Sequence, residues 1–194
     1  LYGMPCYMDA IMAIAKEHGL RVIEDATESI GASFSGAFTG TFGDLGCFSF
    51  NGNKVLTTGG GGLVVGFDEV QLDRIKFLAN QARDESKGYY HPEMGYNYRM
   101  TNIEAALGLA QFEQLSYFLE RKALYRQLYE GTLADVPQLI FQQCPRDGIA
   151  SNWFTAIRQQ GKSAVDLQNR LKEKGLLSRR NFVPAHHFPY LKSY

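Results

Sequence analysis

A single lysine set between an aromatic strand and a run of glycines constrains this chain more than any other feature. The stretch reads Cys47-Phe48-Ser49-Phe50, then Asn51-Gly52-Asn53-Lys54, then Val55-Leu56-Thr57-Thr58, and ends in Gly59-Gly60-Gly61-Gly62. The first four residues, bounded by Gly46 and Gly52, read as the end of a buried strand. Consecutive glycines let backbone approach another group closely, at φ values other residues avoid. Lys54 is therefore either a surface charge or an amine set for chemistry, and this stretch alone leaves both open. It is not a nucleotide-phosphate loop, because the lysine precedes the glycines and no Gly-Lys-Ser/Thr ending follows.

Around that stretch the chain reads as alternating helices and strands. Met8, Ile11, Met12 and Ala15 share one face of a helix over 8–18, with Gly19 at its end. A strand over 20–24 follows at once, which suggests a parallel sheet of the βαβ kind. Residues 33–40, with Ser35-Gly36, read as a hairpin, and 45–50 and 62–67 as buried strands flanking the lysine loop. Asp68 with Gln71, and Thr101 with Glu104, mark the starts of helices to about 81 and 113. Residues 82–100 form a long polar and aromatic loop, of a kind that is usually functional in compact domains. A further amphipathic helix runs to about 134, and 137–148 reads as a crossing segment. A strand over 152–159, a helix over 163–174 closed by Gly175, and a strand starting over 176–180 complete the reading.

The strand ending Val22-Ile23-Glu24-Asp25-Ala26 adds weight to Lys54. Carboxylates at the C-terminal end of a strand stand where open α/β sheets keep their chemistry. Taken alone, Asp25 also reads as a cap for the segment after it. Together with Gly43-Asp44-Leu45-Gly46-Cys47-Phe48-Ser49-Phe50, Asn53-Lys54, Gly95-Tyr96-Asn97-Tyr98-Arg99 and Pro184-Ala185-His186, this text resembles the DegT/DnrJ/EryC1/StrS family of sugar aminotransferases. The blocks stand in family order and cover nearly the whole chain.

The resemblance implies an α/β fold: a mostly parallel mixed sheet with flanking helices, the type I fold of transferases that use pyridoxal 5'-phosphate. It implies residues 1–113 as the latter part of the large cofactor domain, 114–136 as a connecting helix, and 137–194 as an incomplete small α+β domain. By the same resemblance Lys54 binds the cofactor aldehyde and shuttles a proton. Burial would favour the neutral amine this needs. Asp25 pairs with the ring nitrogen and strengthens the ring as an electron sink. Ser49 and Asn97 reach the phosphate, Asn97 from the second subunit of a homodimer with a shared active site. Glu28 stands where the family commonly has Gln or His against the cofactor ring or its phenolic oxygen. Asn53, Arg179 and His186 fall to the substrate, an expected nucleotide sugar alongside an amino-acid donor. The 51–54 turn and the Thr57-Thr58 pair resemble the branch that aminates UDP-linked 4-keto-6-deoxy-N-acetylhexosamines.

Composition excludes other classes. With 20 basic and 20 acidic side chains the formal net charge is zero, which does not suit a nucleic-acid binder. The longest apolar runs fall far short of the ~20 residues a membrane helix needs. Cys6, Cys47 and Cys144 lie too far apart for a metal site and fit reduced cytoplasmic thiols. His186, His187, Arg179 and Tyr190 crowd one end without a matching Cys, Asp or Glu spacing, so no metal is expected. The chain opens on Leu1 and closes on Lys192-Ser193-Tyr194, inside the span the family occupies, so it reads as a piece of a longer protein. Part of the family's phosphate site lies before this segment, which would leave the piece a weak holder of cofactor. A truncated relative that dimerises or binds nucleotide sugar without catalysis is the alternative.

Overall fold

The structure, a computed structural model, describes residues 1–161 and 163–191. Lys192-Ser193-Tyr194 lie outside the described residues. The chain divides into two units, one of Leu1–Leu128 with Gln143–Phe154 and one of Tyr129–Gln142 with Thr155–Tyr194.

The first unit is built on a three-stranded mixed sheet of β1 (Ile23–Asp25), β4 (Leu45–Ser49) and β5 (Gly62–Gly66), with β4 in the middle. β1 and β4 run parallel, with Asp25 opposite Cys47, and β4 and β5 run antiparallel, with Ser49 opposite Gly62. Helix α1 (Met8–Glu17) precedes β1, and Gly19 takes φ +62 just after the helix ends. β1 starts at Ile23, later than expected, because Val22 is already committed: its N–H donates to the Asp44 carboxylate at 2.8 Å and its carbonyl accepts from Asp44 N. That N–H first, then the Arg21 guanidinium, holds the Asp44 carboxyl below the usual carboxylate range. Between the parallel strands, β2 (Ser33–Phe34) and β3 (Ala37–Phe38) form the expected hairpin through Ser35 and Gly36, both at positive φ. β2 also pairs with β7 (Gly148–Ile149), so 137–148 is no bare crossing segment.

Helix α2 (Glu69–Ala79) starts at Asp68, whose carboxylate accepts from the N–H groups of Val70 and Gln71. Residues 82–100 are a long loop broken by one short 3-10 turn, Glu85–Lys87. Thr101 and Glu104 form a complete capping box at the start of α3 (Asn102–Phe112), and α4 (Leu115–Thr132) follows after a two-residue break. The second unit holds the antiparallel pair of β6 (Leu139–Phe141) and β8 (Ile157–Gln159), then α5 (Ala164–Glu173), capped by Ser163. The strand expected from 152 begins only at Ile157, since Asn152 sits at φ +51 and Trp153 is turned into the core. Residues 176–180 form no strand, and two 3-10 turns, Ala185–His187 and Pro189–Leu191, follow.

Two glycine-dependent packings hold the β1–β4 ladder in place. Glu24, buried between exposed Ile23 and Asp25, accepts from Gly40 N at 2.7 Å, Phe42 N at 2.6 Å and Gly43 N at 2.8 Å. A Cβ on Gly46, the partner of Glu24 in the ladder, would overlap the carbonyl oxygen of Gly40. Gly46→Ala is therefore expected to cost about 2–3 kcal/mol, since backbone on both sides has no room to yield. Chemical denaturation would show it, and an unchanged midpoint would refute the packing described.

Candidate active site

Parallel pairing puts the C-terminal ends of β1 and β4 at one end of the sheet, and both lead into loops that carry the expected residues. Lys54 lies in the connection between β4 and β5 and is half-buried. That connection is fixed at many points. Lys54 N donates to Asn51 O, Thr58 N to Phe50 O, and Phe50 N to Gly61 O, each at 3.0 Å. Thr57 Oγ1 donates to Phe50 O and accepts from Gly59 N, both at 2.9 Å, while Thr57 N donates to Gln111 of α3. Val55 and Leu56, the two residues after the lysine, are buried in the core. The backbone of Lys54 is thus anchored on both sides while its side chain stays outside the core. Its Nζ lies 4.1 Å from the centroid of the Trp153 ring, and it takes part in none of the described ion pairs.

Asp25 ends β1 and is exposed at the same end of the sheet. Its Oδ1 accepts from Thr27 N at 3.2 Å, the short cap foreseen for it, and Oδ2 has no hydrogen bond among the described residues. Its charge adds to burial in pushing the thiol of Cys47, its ladder partner, upward, so that this sulfur stays protonated. Ser49 ends β4, and its Oγ accepts from Asn51 N at 3.3 Å. The hydroxyl proton remains available to an anion. Glu28, three residues past Asp25, accepts the Tyr2 N–H on Oε2 at 2.7 Å. Its Oε1 has no hydrogen bond among the described residues, and its backbone carbonyl faces the Ser151 hydroxyl at 3.5 Å.

Trp153 is the residue that sequence reasoning missed. It is 2 % exposed, and its indole N–H donates to the carbonyl of Asn53 at 2.6 Å. The Asn53 side chain itself is exposed. One signal was present: Trp153 is the only tryptophan of the chain. Asn97 lies on the 82–100 loop, exposed, in a bridge with Asn80, beside the stacked rings of Tyr96 and Tyr98 at 5.1 Å. Arg179 and His186 belong to the second unit. The Arg179 guanidinium stands 4.8 Å from the Phe182 ring centroid, and the rings of His186 and His187 meet edge to face at 4.3 Å. Among the described residues there is no group of three or more His, Cys, Asp or Glu that could hold a metal ion, and no helix long and apolar enough to cross a membrane.

A lysine on the loop leaving one strand and a carboxylate ending the neighbouring parallel strand, both at the C-terminal end of the sheet, are placed where α/β enzymes bind a cofactor. The chain belongs to the DegT/DnrJ/EryC1/StrS aminotransferase family, whose model matches residues 1–194. It is 40% identical over 190 residues to the GDP-perosamine synthase of Escherichia coli O157:H7, covering 97% of this chain and 52% of that protein. It is 39% identical over 190 residues to EpsN of Bacillus subtilis (strain 168), provisionally described as a pyridoxal phosphate-dependent aminotransferase, with 97% and 49% covered. Among solved structures it superposes on DesI, determined in the presence of its TDP-sugar product, with a TM-score of 0.87 and 29% identity over 98% of this chain and 50% of that one. The mixed sheet and flanking helices are accordingly part of the fold type I architecture. The chain spans about half the length of the curated relatives it matches.

Proposed function

We propose that this chain is the catalytic portion of an aminotransferase that uses pyridoxal 5'-phosphate to place an amino group on a nucleotide-linked sugar. One observation carries the reading: the Lys54 amine sits on a rigid loop at the end of the sheet where Asp25 also ends its strand, and no carboxylate neutralises it among the described residues. The donor set fits the group. Lys54 supplies the amine that binds the aldehyde. The open oxygen of Asp25 accepts from a protonated ring nitrogen. The Ser49 hydroxyl donates to phosphate. When bound, the cofactor supplies an electron sink for breaking the donor's Cα–H bond. The protein's own part is then to carry that proton on Lys54, to keep the ring nitrogen protonated through Asp25, and to hold the phosphate.

Relatives named for GDP-perosamine and for a TDP-sugar product support a nucleotide sugar as acceptor. The finer reading, a UDP-linked 4-keto-6-deoxy-N-acetylhexosamine aminated with glutamate for surface-glycan synthesis, rests on the 51–54 turn and the Thr57-Thr58 pair. Residues 1–113 serve as the latter part of the cofactor domain, 114–136 as the connecting helix and 137–194 as the small domain. Arg179, His186 and Asn53 contact substrate, and Glu28 meets the cofactor through its open oxygen. The enzyme works in the cytoplasm, where three free thiols stay reduced.

The test is direct. Borohydride reduction of protein incubated with pyridoxal phosphate should fix the cofactor on the peptide containing Lys54. A label elsewhere, or none in the full-length protein, overturns the proposal and favours a non-catalytic relative.

Asn97 is proposed to serve the partner's site in a homodimer, and that reading predicts complementation. Lys54→Met and Asn97→Ala proteins, each inactive alone, should regain about a quarter of the sites when subunits are mixed, because half the dimers then hold one intact site. Mixtures as inactive as their components would place Asn97 and Lys54 of one chain in the same site.

A further inference from the structure

Trp153 stands 99 residues from Lys54 in sequence, yet its ring meets that lysine's amino group. The indole is held from several sides. Its N–H donates to Asn53 O at 2.6 Å, its backbone carbonyl accepts from Lys122 Nζ at 3.2 Å, and the Phe154 ring lies 4.2 Å from it, centroid to centroid. Only 2 % of Trp153 is exposed, so the ring is part of the core and not a mobile neighbour. Asn53 is the residue immediately before the lysine. The bond from the indole therefore ties the ring to the backbone that carries Lys54, and the ring face then receives the Lys54 Nζ at 4.1 Å. Tryptophan offers the strongest face of any side chain for an ammonium group.

We propose that Trp153 is a positioning residue for Lys54: the anchored indole face parks the lysine's amino group at the end of the sheet until the cofactor takes it. The proposal rests on the reading of Lys54 as the cofactor-binding lysine. A lysine has four rotatable side-chain bonds and would otherwise sweep a large volume. Parked on the ring, the amine starts from one place, and it gives up one weak contact when it engages the cofactor. The indole N–H and the indole face do separate jobs, the first fixing the ring and the second holding the amine.

Because the chain has one tryptophan, its tryptophan emission reports the surroundings of Trp153, and comparing variants isolates the part that Lys54 contributes. Lys54→Met removes the ammonium and leaves the ring in place. Its emission in the cofactor-free protein is expected to shift in intensity and wavelength relative to the parent, whereas the exposed-surface control Lys87→Met leaves emission unchanged. A second reading comes from brief acetylation with mass-spectrometric mapping, with the other lysines as internal standards. Modification of Lys54 should rise about 2- to 5-fold in Trp153→Leu, the factor a partly exposed contact of this type supplies. It should rise less in Trp153→Phe, which keeps an aromatic face.

Superposable emission of Lys54→Met and parent overturns the proposal, as does equal acetylation of Lys54 in all three proteins. Where Trp153→Leu does not fold, the Lys54→Met emission decides by itself. Neither readout contains cofactor or substrate, so a failed borohydride label would sink the proposed activity and leave this contact standing, and the reverse holds equally.

Discussion

Replacing Lys54 with alanine is expected to lower aminotransfer by at least about 10²–10⁴-fold, the range that loss of a positioned proton-transfer group commonly spans. The loss should exceed that range where covalent attachment of the cofactor also fails. Lys54→Arg should be as damaging. A guanidinium keeps its charge at any working pH and cannot serve as nucleophile or base. Stability should hardly move. The side chain is half-buried, and the loop that carries it is secured by the buried Val55 and Leu56 and by the bonds of Thr57 and Thr58, none of which uses the amine. The contact with Trp153 contributes about 0.5–1 kcal/mol, so the melting temperature should fall by only about 1–4 °C in a chain of this size. Activity assays paired with thermal denaturation separate the two effects. Residual activity above about a tenth of the parent's would remove Lys54 from the chemistry.

Locally coded features were legible in the sequence because their partners sit within a few residues. The capping box of Thr101 and Glu104, the cap at Asp68, and the positive φ of Gly19 and Gly175 are all of that kind. The strand of Lys54's loop was legible for the same reason, since glycines bracket it. Long-range pairings were not. A strand starting over 176–180 needs a neighbour that local sequence cannot supply, and none of the described strands pairs with it. The α1 stripe reads as one buried face, yet Ile11 is exposed beside buried Met8 and Ala15, because no described element covers it. Trp153 meets Asn53 across one hundred residues, a distance no local pattern reports. Glu24 shows a subtler limit. The sequence places two acids side by side at a strand end, and period-two alternation sends them to opposite faces, Glu24 inward and Asp25 outward. Choosing which acid faces in requires knowing that 40–43 turns back over β1.

That inward acid carries the second large effect, and it concerns stability. Glu24→Gln, conservative by size, is expected to destabilise the fold by about 3 kcal/mol. An ionised carboxylate is a pure acceptor, and here its two oxygens take three backbone N–H groups, Oε2 from Gly40 and Oε1 from Phe42 and Gly43. A glutamine must turn its NH₂ toward one of those donor sets. Donor then faces donor, and at least one buried N–H goes unsatisfied at about 1–3 kcal/mol, with the charge assistance of the remaining bonds also lost. Glu24→Ala should be at least as severe, since it abandons all three donors. Glu24→Asp should fall between, being one carbon short of a turn fitted to glutamate. For a chain of this length about 3 kcal/mol lowers the melting temperature by roughly 6–12 °C. The damage should spread to the site, because the turn that Glu24 holds packs Gly40 against Gly46 and so seats β4 beside β1. Asp25 and Ser49 take their places from that ladder. Cofactor affinity should therefore weaken in Glu24→Gln even at temperatures where the protein stays folded, though Glu24 faces away from the residues that would hold the group. Equilibrium denaturation and cofactor titration measure the two consequences. A variant within about 0.5 kcal/mol of the parent, in the range of ordinary surface substitutions, would show that the three N–H groups find other acceptors.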